Sequence, residues 1–179
     1  QAGYDTEQSL AMVDAIVNLA IANEMDLARA TEIVTASMNA YNWELNRTQE
    51  LTDILSAVSR ASSTDVGEIG EAFRTVAPTA NALGFEVSDV AMVLGLMANN
   101  AIHGAEAGNG LKSILSSLVK PTKNGAAALK ELGVEVADSQ GNMKDLDEVI
   151  VDLQEAFKGL SEEEQAQIAT TLVGKMQMS

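Results

Sequence analysis

Few residues in this chain have the types and spacing that chemistry requires. The segment Gly104-Ala-Glu-Ala-Gly-Asn-Gly-Leu-Lys-Ser113 holds the glycines, lysine and hydroxyl of a phosphate-binding loop. Its spacing fails, because Leu111 separates Gly110 from Lys112 and no strand precedes the cluster. Small residues that let a helix start close to its neighbours explain it better. Asp138, Gln140, Asn142, Asp145 and Asp147 bring several oxygens together in sequence. A calcium loop of the EF-hand type places its glycine sixth, whereas Gly141 falls fourth, so turn and N-cap duty is the simpler reading. His103 is the sole histidine and cysteine is absent, which leaves no HExxH site, thiolate or Ser-His-Asp triad. Glu162, Glu163 and Glu164 occupy a first helical turn, where acids favour the helix dipole. No catalytic residue, metal ligand or cofactor site is expected. The remaining candidate is a contact surface: Tyr41 and Trp43 lie in an expected loop, and exposed aromatics anchor many interfaces, with packing under the following helix an equal reading of Trp43.

Composition bounds what such a chain can contact. Its 179 residues carry a formal net charge of −15, with 26 acidic side chains against 11 basic. That balance opposes nucleic-acid binding, which needs a basic patch to release counterions, and opposes docking on an anionic membrane. Apolar residues reach 46% but aromatics only 3%, so the core must be aliphatic, with methionine filling irregular gaps. The longest run without a polar residue, Val90 to Ala98, is far short of the roughly 20 residues of a membrane helix. The N-terminal Gln-Ala-Gly-Tyr is neither an initiator methionine nor a signal peptide, and both ends read as those of a fragment.

Helical periodicity dominates the elements. Asp5 and Gln8 form a capping box before a helix reaching about residue 22, with Leu10, Val13, Ile16, Val17 and Ala20 on one broad face. A second helix, about Asp26 to Tyr41, lines up Leu27, Ala30, Ile33, Val34 and Met38. Asn46 and Gln49 start a third, carrying Leu51, Ile54, Leu55 and Val58. A fourth begins at Asp65 with Val66, Ile69, Phe73 and Val76, and Pro78 should end or kink it. Ser88 is the expected cap of a fifth, with Val90, Val93, Leu94, Met97 and Ala101 inward. Leu111, Ile114, Leu115 and Leu118 mark a sixth that Pro121 stops, and a short Ala-rich helix reaches Leu132. Val134-Glu-Val136 and the turn residues from Asp138 to Asn142 predict a small β-hairpin near 134–144. Leu146, Val149, Ile150, Leu153 and Phe157 then lie on a helix closed by Gly159, and Ser161 with Glu164 boxes the last one. No heptad persists long enough for a coiled coil. The repeated phrases Leu83-Gly-Phe-Glu-Val-Ser-Asp89 and Leu132-Gly-Val-Glu-Val-Ala-Asp138 share a helix-ending glycine, which points to common stop chemistry. The expected fold is mainly α: a compact bundle of short helices over residues 1–179, with a subdivision near 121–133.

An ordered set of segments carries a resemblance: Ala2-Gly-Tyr-Asp-Thr-Glu-Gln-Ser-Leu10, Phe73-Arg-Thr-Val-Ala-Pro78, Ala82-Leu-Gly84 and Gly95-Leu-Met-Ala-Asn-Asn-Ala-Ile-His-Gly104. Gly108-Asn-Gly-Leu111, Lys120-Pro-Thr122, Leu132-Gly-Val134, Gly141-Asn-Met-Lys144 and Ala156-Phe-Lys-Gly-Leu-Ser161 complete it. In order and spacing these resemble the core region of phage tail tape-measure proteins. The resemblance implies a large structural protein inside the tail tube of a phage or prophage virion, made in the host cytoplasm, which sets tail length and leaves ahead of the DNA. It implies tail-tube, tail-tip or baseplate and assembly-chaperone partners, with self-association open, no enzyme activity in this region and no specific nucleic-acid binding. It further implies that Leu172-Val-Gly-Lys-Met-Gln-Met-Ser179 continues into more chain. Two other classes stand beside it: a membrane-active module in which Val90 to Ala98 inserts during ejection, and a peptidoglycan hydrolase with convergent carboxylates.

Overall fold

Helix boundaries in the computed structural model, which describes residues 6–173, follow from capping side chains and left-handed turn residues. Among the described residues there are α1 (Thr6–Ala22), α2 (Leu27–Ala40), a 3-10 turn (Leu45–Arg47), α3 (Thr48–Ala61) and α4 (Val66–Ala82). They continue with α5 (Val87–Asn99), α6 (Gly104–Val119), α7 (Lys123–Leu132), α8 (Leu146–Lys158) and α9 (Glu162–Val173). The Asp5–Gln8 box and the stretch beyond Val173 lie outside what is described. Asp26 caps α2 by accepting from the Ala28 and Arg29 amides at 2.9 and 3.2 Å. Asp65 and Thr122 cap α4 and α7 through Glu68 N and Gly125 N at 2.8 and 3.1 Å, each satisfying an amide that the helix leaves free. The Ser161–Glu164 box forms, with Ser161 N donating to Glu164 Oε2 at 2.8 Å.

Five helix exits share one device. Met25, Trp43, Phe85, Ile102 and Val134 each donate their amide to the carbonyl five residues back, at 2.9 to 3.1 Å. The residue before each, Glu24, Asn42, Gly84, Ala101 and Gly133, has positive φ. This is the Schellman closure, which turns the next apolar side chain back onto the helix just ended. It explains the repeated Leu-Gly phrase at Gly84 and Gly133. The two copies then diverge: Val87 opens α5, whereas Val136 enters a turn.

Several expectations are corrected. The β-hairpin is not formed: one antiparallel bridge, Ala137 to Met143, closes a turn and no strand follows among the described residues. Within it the Asp138 carboxylate accepts from the Gln140 and Asn142 amides, so these donors serve the turn. Pro78 sits inside α4, which runs on to Ala82. It is exposed, so the Arg74 carbonyl it leaves without an amide faces water. Glu86, not Ser88, occupies the N-cap of α5, and the Ser88 hydroxyl bonds the neighbouring Asp89. Asn46 falls in the 3-10 turn, with α3 starting at Thr48. Gly159 follows α8 as expected but with φ −87°, so no left-handed turn is made there. Ala101 is an exposed turn residue beyond α5.

α4 is the axis of the core. Val66, Ile69, Ala72, Phe73, Val76, Ala77 and Ala80 are all buried on it, against α2, α3, α5 and α6. Glycines set how close its partners come: Gly70 faces the Ile33 side chain of α2, and Gly108 of α6 lies on the Ala72 backbone. A second apolar cluster, Leu118, Leu129, Val134 and Val149, joins α7 and the ends of α6 and α8, with Leu172 of α9 packed against it.

Candidate interaction surfaces

The Schellman closure at the end of α2 folds Trp43 back onto the bundle. Its ring is half-buried, and the Arg47 guanidinium lies 3.4 Å above its centroid, a cation–π contact. Arg47 also grips Glu50 with both arms of its fork, at 2.8 and 2.6 Å, which holds the Glu50 carboxyl below its ordinary range. Tyr41 is only 8% exposed, its ring 6.0 Å from Trp43 and 5.8 Å from Phe73. Its hydroxyl has no hydrogen-bond partner among the described residues. Burial, with the Glu86 and Asp89 charges adding, pushes that phenol well above its usual pKa. Of the two aromatic candidates, then, Trp43 reaches the surface and Tyr41 belongs to the core.

The polar clusters are engaged in caps and turns. Asp138 Oδ1 accepts from Gln140 N and Asn142 N, each at 2.8 Å, and its Oδ2 from Asn142 Nδ2 at 3.0 Å. These bonds hold its carboxyl below its ordinary pKa. His103 sits at the N-cap of α6 without capping through its side chain, and its Nδ1 is 3.1 Å from Glu68 Oε2. That nitrogen makes no hydrogen bond among the described residues. The glycine cluster from Gly104 onward is the first half of α6, and Gly108 is its point of closest approach to α4. Among the described residues, Asp89 of α5 feels the charges of Asp145 and Asp147 at the start of α8. Partial burial raises the Asp89 pKa, the two neighbouring acids add to this, and the Ser88 hydroxyl and Leu146 amide oppose it. A cleft of about 130 Å³ between α2 and α4 sets Arg29 and Arg74 beside Glu32 and Glu71, and the Arg74–Glu32 pair closes at 3.1 Å. Among the described residues no three His, Asp or Glu side chains are placed to hold a metal ion.

Among the described residues, the larger uncovered surfaces are apolar. On α1, Leu10 and Val13 are 62% and 53% exposed and Ile21 is 72% exposed, while Ile16 and Ala20 are buried. The single broad face expected for α1 is therefore two faces, one in the core and one outside. Leu27, expected inward on α2, is also half exposed. A groove of about 430 Å³ runs between α6, α8 and α9, lined by Ile114, Leu118, Ile150, Leu153, Phe157 and Leu172. The segment Val90 to Ala98 is mostly core, with only Met92 and Leu96 well exposed, and no helix among the described residues is long and apolar enough to cross a membrane. Sequence periodicity missed the outer α1 face because every aliphatic residue was assigned to one core. Its 3-4-4 spacing was the available signal.

The described residues thus form a helical module whose polar groups serve caps and turns and whose open features are apolar surfaces. The chain belongs to the phage-related minor tail protein family, whose pattern matches residues 1–174. It is 31% identical over 178 residues to the tape measure protein of Pneumococcus phage Dp-1, covering 99% of this chain and 16% of that protein. It is 27% identical over 177 residues to the probable tape measure protein of Escherichia phage P2, covering 98% of this chain and 22% of that one. The chain thus spans about a fifth or less of the length of these relatives. No solved structure matches it. As a member of this family it is a structural component of a phage tail, and hence of the virion.

Proposed function

We propose that this chain is the core module of a tail tape measure: a folded unit at a fixed place in a longer protein that sets tail length during assembly. The observation carrying this reading is similarity to tape measure proteins over virtually the whole chain. The helices refine it. At about 1.5 Å per residue a ruler works best as uninterrupted helix, whereas the described helices run 10 to 17 residues, and α2, α3, α5 and α6 fold back on α4. Length measurement would then reside elsewhere in the protein, and this module would contact tail-tube, tail-tip or baseplate proteins and assembly chaperones. Half-buried Trp43 with its Arg47 cover is one such contact surface. The second apolar cluster supports a subdivision near 121–133.

In this reading the module has no enzyme activity, lies inside the tail tube, is made in the host cytoplasm and departs before the DNA. A net charge of −15 fits a protein that must not adhere to the nucleic acid following it. Antibody labelling and mass spectrometry of purified virions test the placement. The protein should be inaccessible in intact tails and lost from tails that have ejected their DNA. Labelling on the outer surface, retained after ejection, would overturn it.

A further inference from the structure

Among the described residues, no element covers the outer face of α1, where Leu10, Val13 and Ile21 are exposed. Leu10, Val13, Val17 and Ile21 fall within an arc of about 80° at 3.6 residues per turn, opposite the buried Ala15 and Leu19 and bordered on the Val13 side by the buried Ala20. A helix apolar on both sides is built to be covered on both sides. Over its 17 residues α1 is about 25 Å long, a length that another helix matches, and a 3-4-4 row is what a partner helix reads.

Charge selects the occupant. The first 28 residues hold five acidic side chains and no basic one. Asp14 is exposed on α1, and Glu24 and Asp26 are exposed just beyond it. A second copy would bring the same acidic flanks and its own net charge of −15. Four aliphatic side chains also cover much less than the roughly 800 Å² per partner of a standard interface, too little to hold two like-charged copies together.

We infer that the Leu10–Val13–Val17–Ile21 face of α1 docks an amphipathic helix from another protein, one whose apolar stripe is flanked by Lys or Arg. The apolar row supplies contact and register, and the acidic margin selects basic flanks and speeds encounter. This does not rest on the tape-measure reading.

The test titrates the full chain into three labelled helical peptides that share one Leu/Ile stripe and differ only in Lys, Gln or Glu flanks. Binding is followed by fluorescence anisotropy at low and high salt. The Lys-flanked peptide should bind at least about tenfold more tightly than the Gln-flanked one and weaken with salt, and the Glu-flanked peptide should not bind. Val13→Asp and Ile21→Asp, both at exposed positions, should leave helicity unchanged and weaken binding at least about tenfold. Val151→Asp, at an exposed position of α8, should have no effect. Affinity blind to flank charge, equal loss with Val151→Asp, or no binding of any peptide would overturn the inference. So would self-association of the chain, or its capture by anionic vesicles, when either is abolished by Ile21→Asp.

Discussion

Gly108 of α6 rests on the backbone of Ala72 in α4: a β-carbon at Gly108 would come within 2.5 Å of the Ala72 carbonyl oxygen and 2.9 Å of its α-carbon. Neither atom can rotate away, so the two helix axes would have to separate. Gly108→Ala should therefore destabilise the protein by about 1 to 3 kcal/mol despite alanine's better helix propensity. Gly110→Ala is the control, because its nearest neighbour is the flexible Met97 Cε at 3.3 Å. Urea denaturation should find Gly110→Ala neutral or stabilising, and equal effects at the two sites would refute the close contact.

Tyr41 places a hydroxyl in the core with no partner among the described residues. A buried donor without an acceptor costs about 1 to 3 kcal/mol, so Tyr41→Phe should be neutral or stabilising. The fluorescence of Trp43, the sole tryptophan, reports the unfolding directly. A loss exceeding about 1 kcal/mol would mean that the hydroxyl is satisfied after all.

Ala101 holds φ +63° at a helix exit where Gly84 and Gly133 perform the same closure. A β-carbon in that conformation costs about 1 kcal/mol, partly offset by the greater chain entropy of unfolded glycine. Ala101→Gly should raise the thermal midpoint slightly, whereas Gly133→Ala should lower it. Calorimetry on both variants checks the pair.

Asp89 is partly buried, and that burial, with the Asp147 and Asp145 charges adding, holds its pKa above the ordinary 3.8. A raised carboxyl costs stability wherever it is ionised, and the cost fades as pH falls through its folded pKa. Asp89→Asn, whose side-chain carbonyl can still accept from the Leu146 amide, should exceed the native protein in stability near about pH 7. The two should converge towards about pH 4. A constant difference across that range would exclude the charge effect.

Local chemistry was the legible part of this fold. Asp26, Asp65 and the Ser161–Glu164 box announce their helices through side chains that bond amides two or three residues away, whereas the Thr122 cap of α7 went unread. Gly84 and Gly133 announce two exits because they take positive φ without strain. Glu24, Asn42 and Ala101 make the same turn without a glycine, so those exits carried no comparable mark. Pro78 misleads because its effect depends on which way the freed carbonyl faces, a property of the bundle and not of the residue. The exposed row on α1 was hidden for a similar reason. Periodicity says which residues share a face but not whether anything covers it. Trp43 was identifiable by type, yet its cover by Arg47 depends on the 3-10 turn between them.

The proposal that this is the compact part of a tape measure, not the part that measures, is tested most directly by tail length. Residues 146–173, which hold α8 and α9, would be removed in frame from the gene of a phage encoding this chain, and the tails measured by electron microscopy. A ruler of continuous helix would lose about 40 Å and still direct intact tails. Loss of a folded module should instead leave tails unassembled or aberrant. Intact, infectious tails shortened by about that amount would contradict the account.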